Sequence, residues 1–167
     1  MSDDARLREK LREEVRRVAG AVVDPEIPVL SIADLGVLRD VTVEDGCIEV
    51  AITPTYSGCP AMNMIAVEIE AALANAGLGP AKVKTVLSPA WTTDWMTDDG
   101  RRKLKEYGIA PPPKGTRHRL PFGKELVACP RCGATDTSPI AAFGSTSCKA
   151  LWRCSSCREP FDHFKCH

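Results

Sequence analysis

Cys129-Pro130-Arg131-Cys132 and Cys154-Ser155-Ser156-Cys157, with twenty-one residues between them, read as four thiolates around one metal. A Cys-x-x-Cys turn brings two sulfurs to one ion while nearby amides stabilise their negative charge. Two such turns complete the tetrahedron that zinc prefers. Cys129, Cys132, Cys154 and Cys157 are therefore expected to hold a structural zinc in a C-terminal zinc ribbon. Gly133 follows the first pair, where a positive φ costs little, and Pro160 helps to turn the chain after the second.

Disulfides or a redox dithiol are the alternatives, and both depend on compartment. Met1-Ser2-Asp3-Asp4-Ala5 leads into a charged stretch without an apolar signal core, and no segment is long and apolar enough to span a membrane. A cytoplasmic setting without membrane attachment is the expectation. Eight cysteines in a reducing compartment favour metal ligation over cross-links. A thioredoxin-like site would use one Cys-x-x-Cys beside a strand-helix unit, with no second pair.

The charge is unevenly split. Residues 1–113 hold 13 Lys and Arg against 18 Asp and Glu, and residues 114–167 hold 9 against 4. The basic tail has no dense Lys/Arg run interleaved with aromatics, so nucleic acid is not expected as a partner; docking on an acidic protein surface is the plainer reading. Ile109-Ala110-Pro111-Pro112-Pro113-Lys114-Gly115 lacks three consecutive backbone donors and reads as a semi-rigid linker. The expected division is a main domain at 1–108, a Pro-rich linker at 109–124 and the ribbon at 125–167. The last is too small to fold by apolar burial alone, so the metal should supply much of its folding free energy.

Within the main domain, Leu7, Leu11, Val15, Val18 and Val22 recur at helical spacing and predict an amphipathic helix stopped by Asp24-Pro25-Glu26-Ile27-Pro28. Residues 37–44 and 47–53 predict a hairpin about Asp45-Gly46. A second helix follows Thr53-Pro54-Thr55-Tyr56-Ser57-Gly58-Cys59-Pro60, with Met62, Ile65, Ile69 and Leu73 on one stripe and Gly77 at its end. Residues 82–87 alternate as a third strand, and 97–107 read as a last helix capped by Thr97. The fold class is α+β: a small sheet, made of a hairpin plus a third strand, with helices packed on one face and the ribbon behind.

Cys59 is the sharpest feature of that domain. A strand-to-helix turn delivers it to a helix N-terminus, with Pro60 as first helical residue, where free amides and the helix dipole are expected to lower a thiol pKa. A small buried hydrophobe is the plainer reading of a lone cysteine. Gly58 and the polar Thr-x-Thr-x-Ser run favour an accessible loop instead. Cys47, in a strand without such company, keeps the core reading. Asp24 and Glu26 flank Pro25 and could face a cleft, but the residue pattern favours a turn cap.

The combination of Asp24-Pro25-Glu26-Ile27-Pro28, Ser31-Ile32-Ala33-Asp34-Leu35-Gly36-Val37 and Thr53 to Pro60 resembles the SufT-like family of small domains that assist iron-sulfur cluster assembly. Further motifs follow in order: Ser88-Pro89-Ala90-Trp91-Thr92-Thr93-Asp94-Trp95-Met96, Pro111-Pro112, Phe143-Gly144-Ser145-Thr146, Cys148-Lys149-Ala150-Leu151, Glu159-Pro160-Phe161-Asp162 and Phe164-Lys165-Cys166. Over nearly the whole chain this pattern is similar to the PaaD family, the accessory proteins associated with the phenylacetyl-CoA epoxidase of aerobic phenylacetate breakdown. The resemblance implies a non-catalytic accessory protein that helps to mature or insert an iron centre in partner subunits. The implied clients are the oxygenase and reductase subunits of the epoxidase, or other iron-sulfur assembly proteins.

The residues agree with that division of labour. A di-iron oxygenase needs Glu-x-x-His pairs on bundled helices, and His118, His163 and His167 have no such setting. Nor does a Gly-rich turn follow any strand, as flavin or nicotinamide binding would require. On the family reading Cys59 is a transient iron or cluster ligand, with Asp24 and Glu26 in its neighbourhood. One thiolate cannot hold a cluster tightly, so a labile cluster shared between two chains of a homo-oligomer, or completed by a partner's ligand, is the reasonable form.

Other assignments stay open in the sequence. Cys148 and Cys166 compete for the tetrahedral site, and thiolates also accept iron. Trp91, Trp95 and Met96 read as core first and as client docking second. A zinc-ribbon adaptor that bridges oxygenase subunits without carrying iron would need the ribbon and the tryptophans but not Cys59. A thiol enzyme would want a base beside Cys59, and all three histidines fall in the linker or the tail.

Overall fold

The computed structural model describes residues 3–115 and 125–165. His118, Cys166, His167 and the second half of the expected linker lie outside the described residues. The chain divides into two compact units, Met1–Trp91 and Thr92–His167.

In the first unit, α1 (Asp3–Gly20) is followed by a one-turn helix α2 (Ile32–Leu35). The strands β1 (Leu38–Glu44) and β2 (Cys47–Ile52) come next, then α3 (Ala61–Asn75) and β3 (Ala81–Thr85). β1 and β2 form the antiparallel hairpin about Asp45-Gly46, whose two residues both take positive φ, as a tight primed turn requires. α3 carries the chain over so that β3 returns parallel to β2, giving the sheet order β1-β2-β3.

The predicted stripe of α3 is realised: Met62, Ile65, Ile69 and Leu73 are all buried. That of α1 is realised only toward its C-terminal end. Val15 and Ala19 are buried, whereas Leu7 is 67% exposed. α1 ends at Gly20, earlier than the Asp24-Pro25 stop. A Cβ at Gly20 would stand 3.2 Å from the Ala33 Cβ, so glycine permits the close approach to α2. Arg12 and Arg16 both reach Asp40 of β1, at 3.0 and 3.3 Å, and tie the helix to the sheet.

Two further expectations change. Cys47 is exposed at the first residue of β2, opposite Glu44, so the core reading fails there; the hairpin end projects beyond the packed layer. Trp91 is buried and donates its indole N–H to the Leu35 carbonyl at 2.8 Å. Met96 is buried and Trp95 half-buried in the second unit, so the three apolar residues belong to separate bodies.

The second unit holds α4 (Asp98–Tyr107), β4 (Ile109–Ala110), β5 (Thr137–Ala141), β6 (Lys149–Cys154) and β7 (Pro160–Phe164). Its sheet order is β4-β7-β6-β5. Thr97 caps α4 through the Gly100 amide, as the sequence predicts. Ile109 and Ala110, read above as the start of the linker, instead pair in parallel with Asp162 and His163 and are buried. The following prolines are anchored as well. Arg101, itself buried, donates to the Pro112 carbonyl and, at 2.6 Å, to that of Thr93. The Gly115 amide donates to Asp94 at 2.9 Å. Proline removes donors but leaves carbonyls, and Arg101 uses one of them.

Candidate functional site: a four-thiol metal centre and a thiol beside two carboxylates

The metal centre is built by two turns of the same design. The Cys129 amide donates to the Ala134 carbonyl at 2.9 Å, and the Cys154 amide to the Glu159 carbonyl at 3.1 Å. The residue after each second cysteine takes positive φ, 78° at Gly133 and 64° at Arg158. Each loop thus curls its two sulfurs toward a common point. The four Sγ atoms all lie within 4.8 Å of one another, with Cys129 and Cys157 at 3.7 Å and Cys132 and Cys154 at 3.6 Å. Zinc–sulfur bonds of about 2.3 Å in a tetrahedron separate the sulfurs by about 3.8 Å, so the donor set fits a tetrahedral thiophilic ion.

The surrounding groups prepare the thiols for a cation. The Cys157 amide, helped by the Cys132 thiol, draws Cys154 down to about 7. At Cys157 the Glu159 amide favours the thiolate, but burial and the neighbouring thiols prevail and push it up to about 12. Four thiols this close cannot all ionise without a positive charge among them. Behind the centre, Val127, Ala150, Trp152, Phe161 and Ala110 form the small core on which Cys129 and Cys154 are buried. Cys148 is outside the four-thiol group; it is buried, with its sulfur 3.0 Å from the Thr146 hydroxyl.

His163 was not singled out as structural by its sequence setting. It is buried beneath this sheet, with Nδ1 3.1 Å from the Ala110 carbonyl, Nε2 3.3 Å from Glu125, and its ring edge-on to Trp152. The alternation of β7, which turns His163 inward with Phe161, is the signal that would have found it.

The first unit holds the other candidate. Asp24 is buried and accepts from the amides of Glu26 at 2.8 Å and Ile27 at 2.9 Å, so its carboxylate caps the turn after α1. Hydrogen bonds from Asp24 N–H to Leu30 and from Ile32 N–H to Val22 close that loop at its base. Gly58, at φ 79°, reverses the chain into Cys59, and Pro60 serves as N-cap with α3 starting at Ala61, one residue later than predicted.

Cys59 is half-buried, and burial pushes its thiol above the ordinary value, contrary to the sequence expectation. The Ala61 amide and the Tyr56 hydroxyl favour the thiolate, which is the helix-terminus effect foreseen. Desolvation outweighs them, and the charges of Glu26 and Asp24 add to it. That last contribution places the thiol in the electrostatic reach of both carboxylates. Tyr56, three residues before Cys59, is the neighbour the sequence reading missed. Among the described residues, the four ribbon cysteines are the group whose ligand atoms come within metal-binding reach of one another; Cys59, Glu26 and Asp24 share an electrostatic neighbourhood.

Comparison with known proteins agrees with the two-part construction. The iron-sulfur cluster assembly protein family matches residues 12–87, and the PaaD zinc beta ribbon domain matches residues 113–165. The D subunit that Escherichia coli (strain K12) carries under the name "Putative 1,2-phenylacetyl-CoA epoxidase" is 51% identical over 92% of both chains. The Fe-S protein maturation auxiliary factor YitW of Bacillus subtilis (strain 168) is 37% identical over 54% of this chain and 90% of its own. A Bacillus anthracis structure titled as a domain of unknown function, DUF59, superposes with a TM-score of 0.56 at 25% identity, covering 60% of this chain and 96% of that one. An assembly-type α+β domain continued by a four-cysteine ribbon, matched along almost its full length, is the arrangement of one family, and the chain belongs to the PaaD family of phenylacetyl-CoA epoxidase accessory proteins.

Proposed function

We propose that this protein is a non-catalytic, cytoplasmic accessory factor of aerobic phenylacetate degradation that assists insertion of iron or an iron-sulfur centre into the phenylacetyl-CoA epoxidase complex. The observation that carries this reading is the thiol of Cys59 at the start of α3, within the electrostatic reach of Glu26 and Asp24. Its raised pKa makes it a proton-retaining thiol at neutral pH that releases its proton to solvent when a cation binds the sulfur, as suits a ligand that loads and releases. With one thiolate per chain, a carried cluster needs ligands from a second copy or from the client. The ribbon cysteines would hold zinc, which supplies cross-linking and charge neutralisation rather than chemistry. No helix among the described residues is long and apolar enough to cross a membrane.

The relatives support the role by what they are named for: a component of the epoxidase in one case, Fe-S protein maturation in another. The test is the iron content of the epoxidase oxygenase and reductase subunits recovered from cells carrying Cys59→Ser in place of the wild-type chain. Loss of client iron with the variant still folded is expected. Unchanged client iron and epoxidase activity would remove the carrier role from Cys59 and favour an adaptor that bridges subunits through the ribbon.

A further inference from the structure

Three sequence motifs that the metal centre does not use come together on the outer face of the ribbon sheet. Side chains alternate along β6, so Ala150, Trp152 and Cys154 enter the core while Lys149 and Leu151 lie on the other face. Leu151 pairs in register with Asp162 of β7, which in turn pairs with Ile109 of β4. The loop before β6 folds back on this face. The Gly144 amide donates to the Lys149 carbonyl at 2.7 Å, and the Ser145 hydroxyl to Asp162 at 3.3 Å. A Cβ on Gly144 would stand 2.7 Å from the Asp162 carboxylate, so a side chain there would have to push that carboxylate aside.

Lys149 is the anomaly. It is 7% exposed, yet its ammonium has no hydrogen bond or ion pair among the described residues. Its stem is covered while the ammonium, which is not one of the buried polar atoms without a partner, reaches the surface on this face, where Asp162 is engaged by Ser145 instead. Lys149 lines a pocket of about 420 Å³ together with Arg131, Ser145 and Asp162, and its walls are completed by Ile109, Leu151 and Pro160.

We propose that this pocket binds a carboxylate carried on an apolar stem. Lys149 and Arg131 supply two positive charges, and Ser145 adds a hydroxyl. Asp162 cancels one charge, which leaves a net of about one and selects a monoanion over a phosphate dianion. The aliphatic walls accept the stem. The carboxylate comes either from a glutamate of a client protein or from a small free acid, and the pocket chemistry is the same for both.

NMR titration of the isotope-labelled, zinc-loaded full chain separates these cases. The probes are sodium butyrate, the neutral butyramide, and the blocked peptide acetyl-Ala-Leu-Glu-Leu-Ala-amide. Saturable shifts at the amides of Ser145, Lys149 and Leu151 are expected with butyrate or the peptide, and none with butyramide. A peptide that binds about tenfold tighter than butyrate assigns the site to a protein partner, and the reverse order assigns it to a free acid. Lys149→Met should abolish binding while the absorption of the cobalt-substituted thiolate centre is unchanged. Should that spectrum change, the exposed Arg131→Gln decides, with an expected loss of about tenfold. No saturable shift with either carboxylate, equal shifts with butyramide, or full binding by the folded variants would each overturn the proposal.

Discussion

Burial and charge set the behaviour of Cys59 more than its position at a helix start. On the proposed function, a soft cation beside the thiol would relieve both the desolvation of the thiolate and its repulsion by Glu26 and Asp24. Glu26→Gln removes one of the repelling charges. The pH midpoint for alkylation of Cys59 should lie above the ordinary cysteine value in the wild type and move downward in Glu26→Gln; an unchanged midpoint would dissociate the two residues. The sign for stability follows. A thiol whose folded pKa is raised stabilises the fold below its unfolded pKa, and that contribution fades as pH rises through and above it. Asp24 has a different weight, because its carboxylate satisfies two amides. Asp24→Ala should cost about 1–3 kcal/mol in chemical denaturation, whereas Asp24→Asn, which keeps an acceptor, should cost clearly less.

At the scale of elements, the two cysteine turns make a controlled comparison, since they share a backbone design but not the residue at the positive-φ position. Gly133 is replaced in the second turn by Arg158. A Cβ on Gly133 would meet nothing within 4 Å, so the cost of Gly133→Ala is backbone strain alone. About 1 kcal/mol is expected, read as a roughly fivefold loss of zinc affinity by competition with a chelator; Arg158→Gly should shift affinity the other way by a smaller factor. These turns were legible in the sequence because cysteine spacing and a following glycine are local signals. So were the hairpin at Asp45-Gly46 and α3, where the turn residues and the 3.6-residue period coincide. The place of Ile109-Ala110 was not. Two apolar residues before three prolines carry no local mark of a strand, and only the distant β7 makes them one. The thiol pKa at Cys59 escaped for the same reason, since both the burial that raises it and the smaller effect of Glu26 arise from tertiary structure and not from spacing.

For the molecule as a whole, the two units differ in what holds them. The first has a continuous apolar core with Val15, Leu35, Val50, Ile65, Ile69 and Leu73 almost fully buried, and should fold without metal. The ribbon core is a handful of side chains, two of them metal ligands, so binding free energy and folding free energy are the same quantity there. Chelation of the metal should therefore erase the dispersed amide resonances of residues 125–165 and leave those of β1 to β3 in place. Retention of ribbon resonances after complete metal removal would contradict this. On the proposed function, one unit holds a structural ion and the other handles a transient one. The most direct test is the metal and acid-labile sulfide content of wild type and Cys59→Ser purified without oxygen. About one zinc per chain is expected in both proteins, with iron present in the wild type and lost in the variant. Sulfide would accompany that iron if the cargo is a cluster. Zinc alone in both, or iron retained equally by the variant, would contradict it.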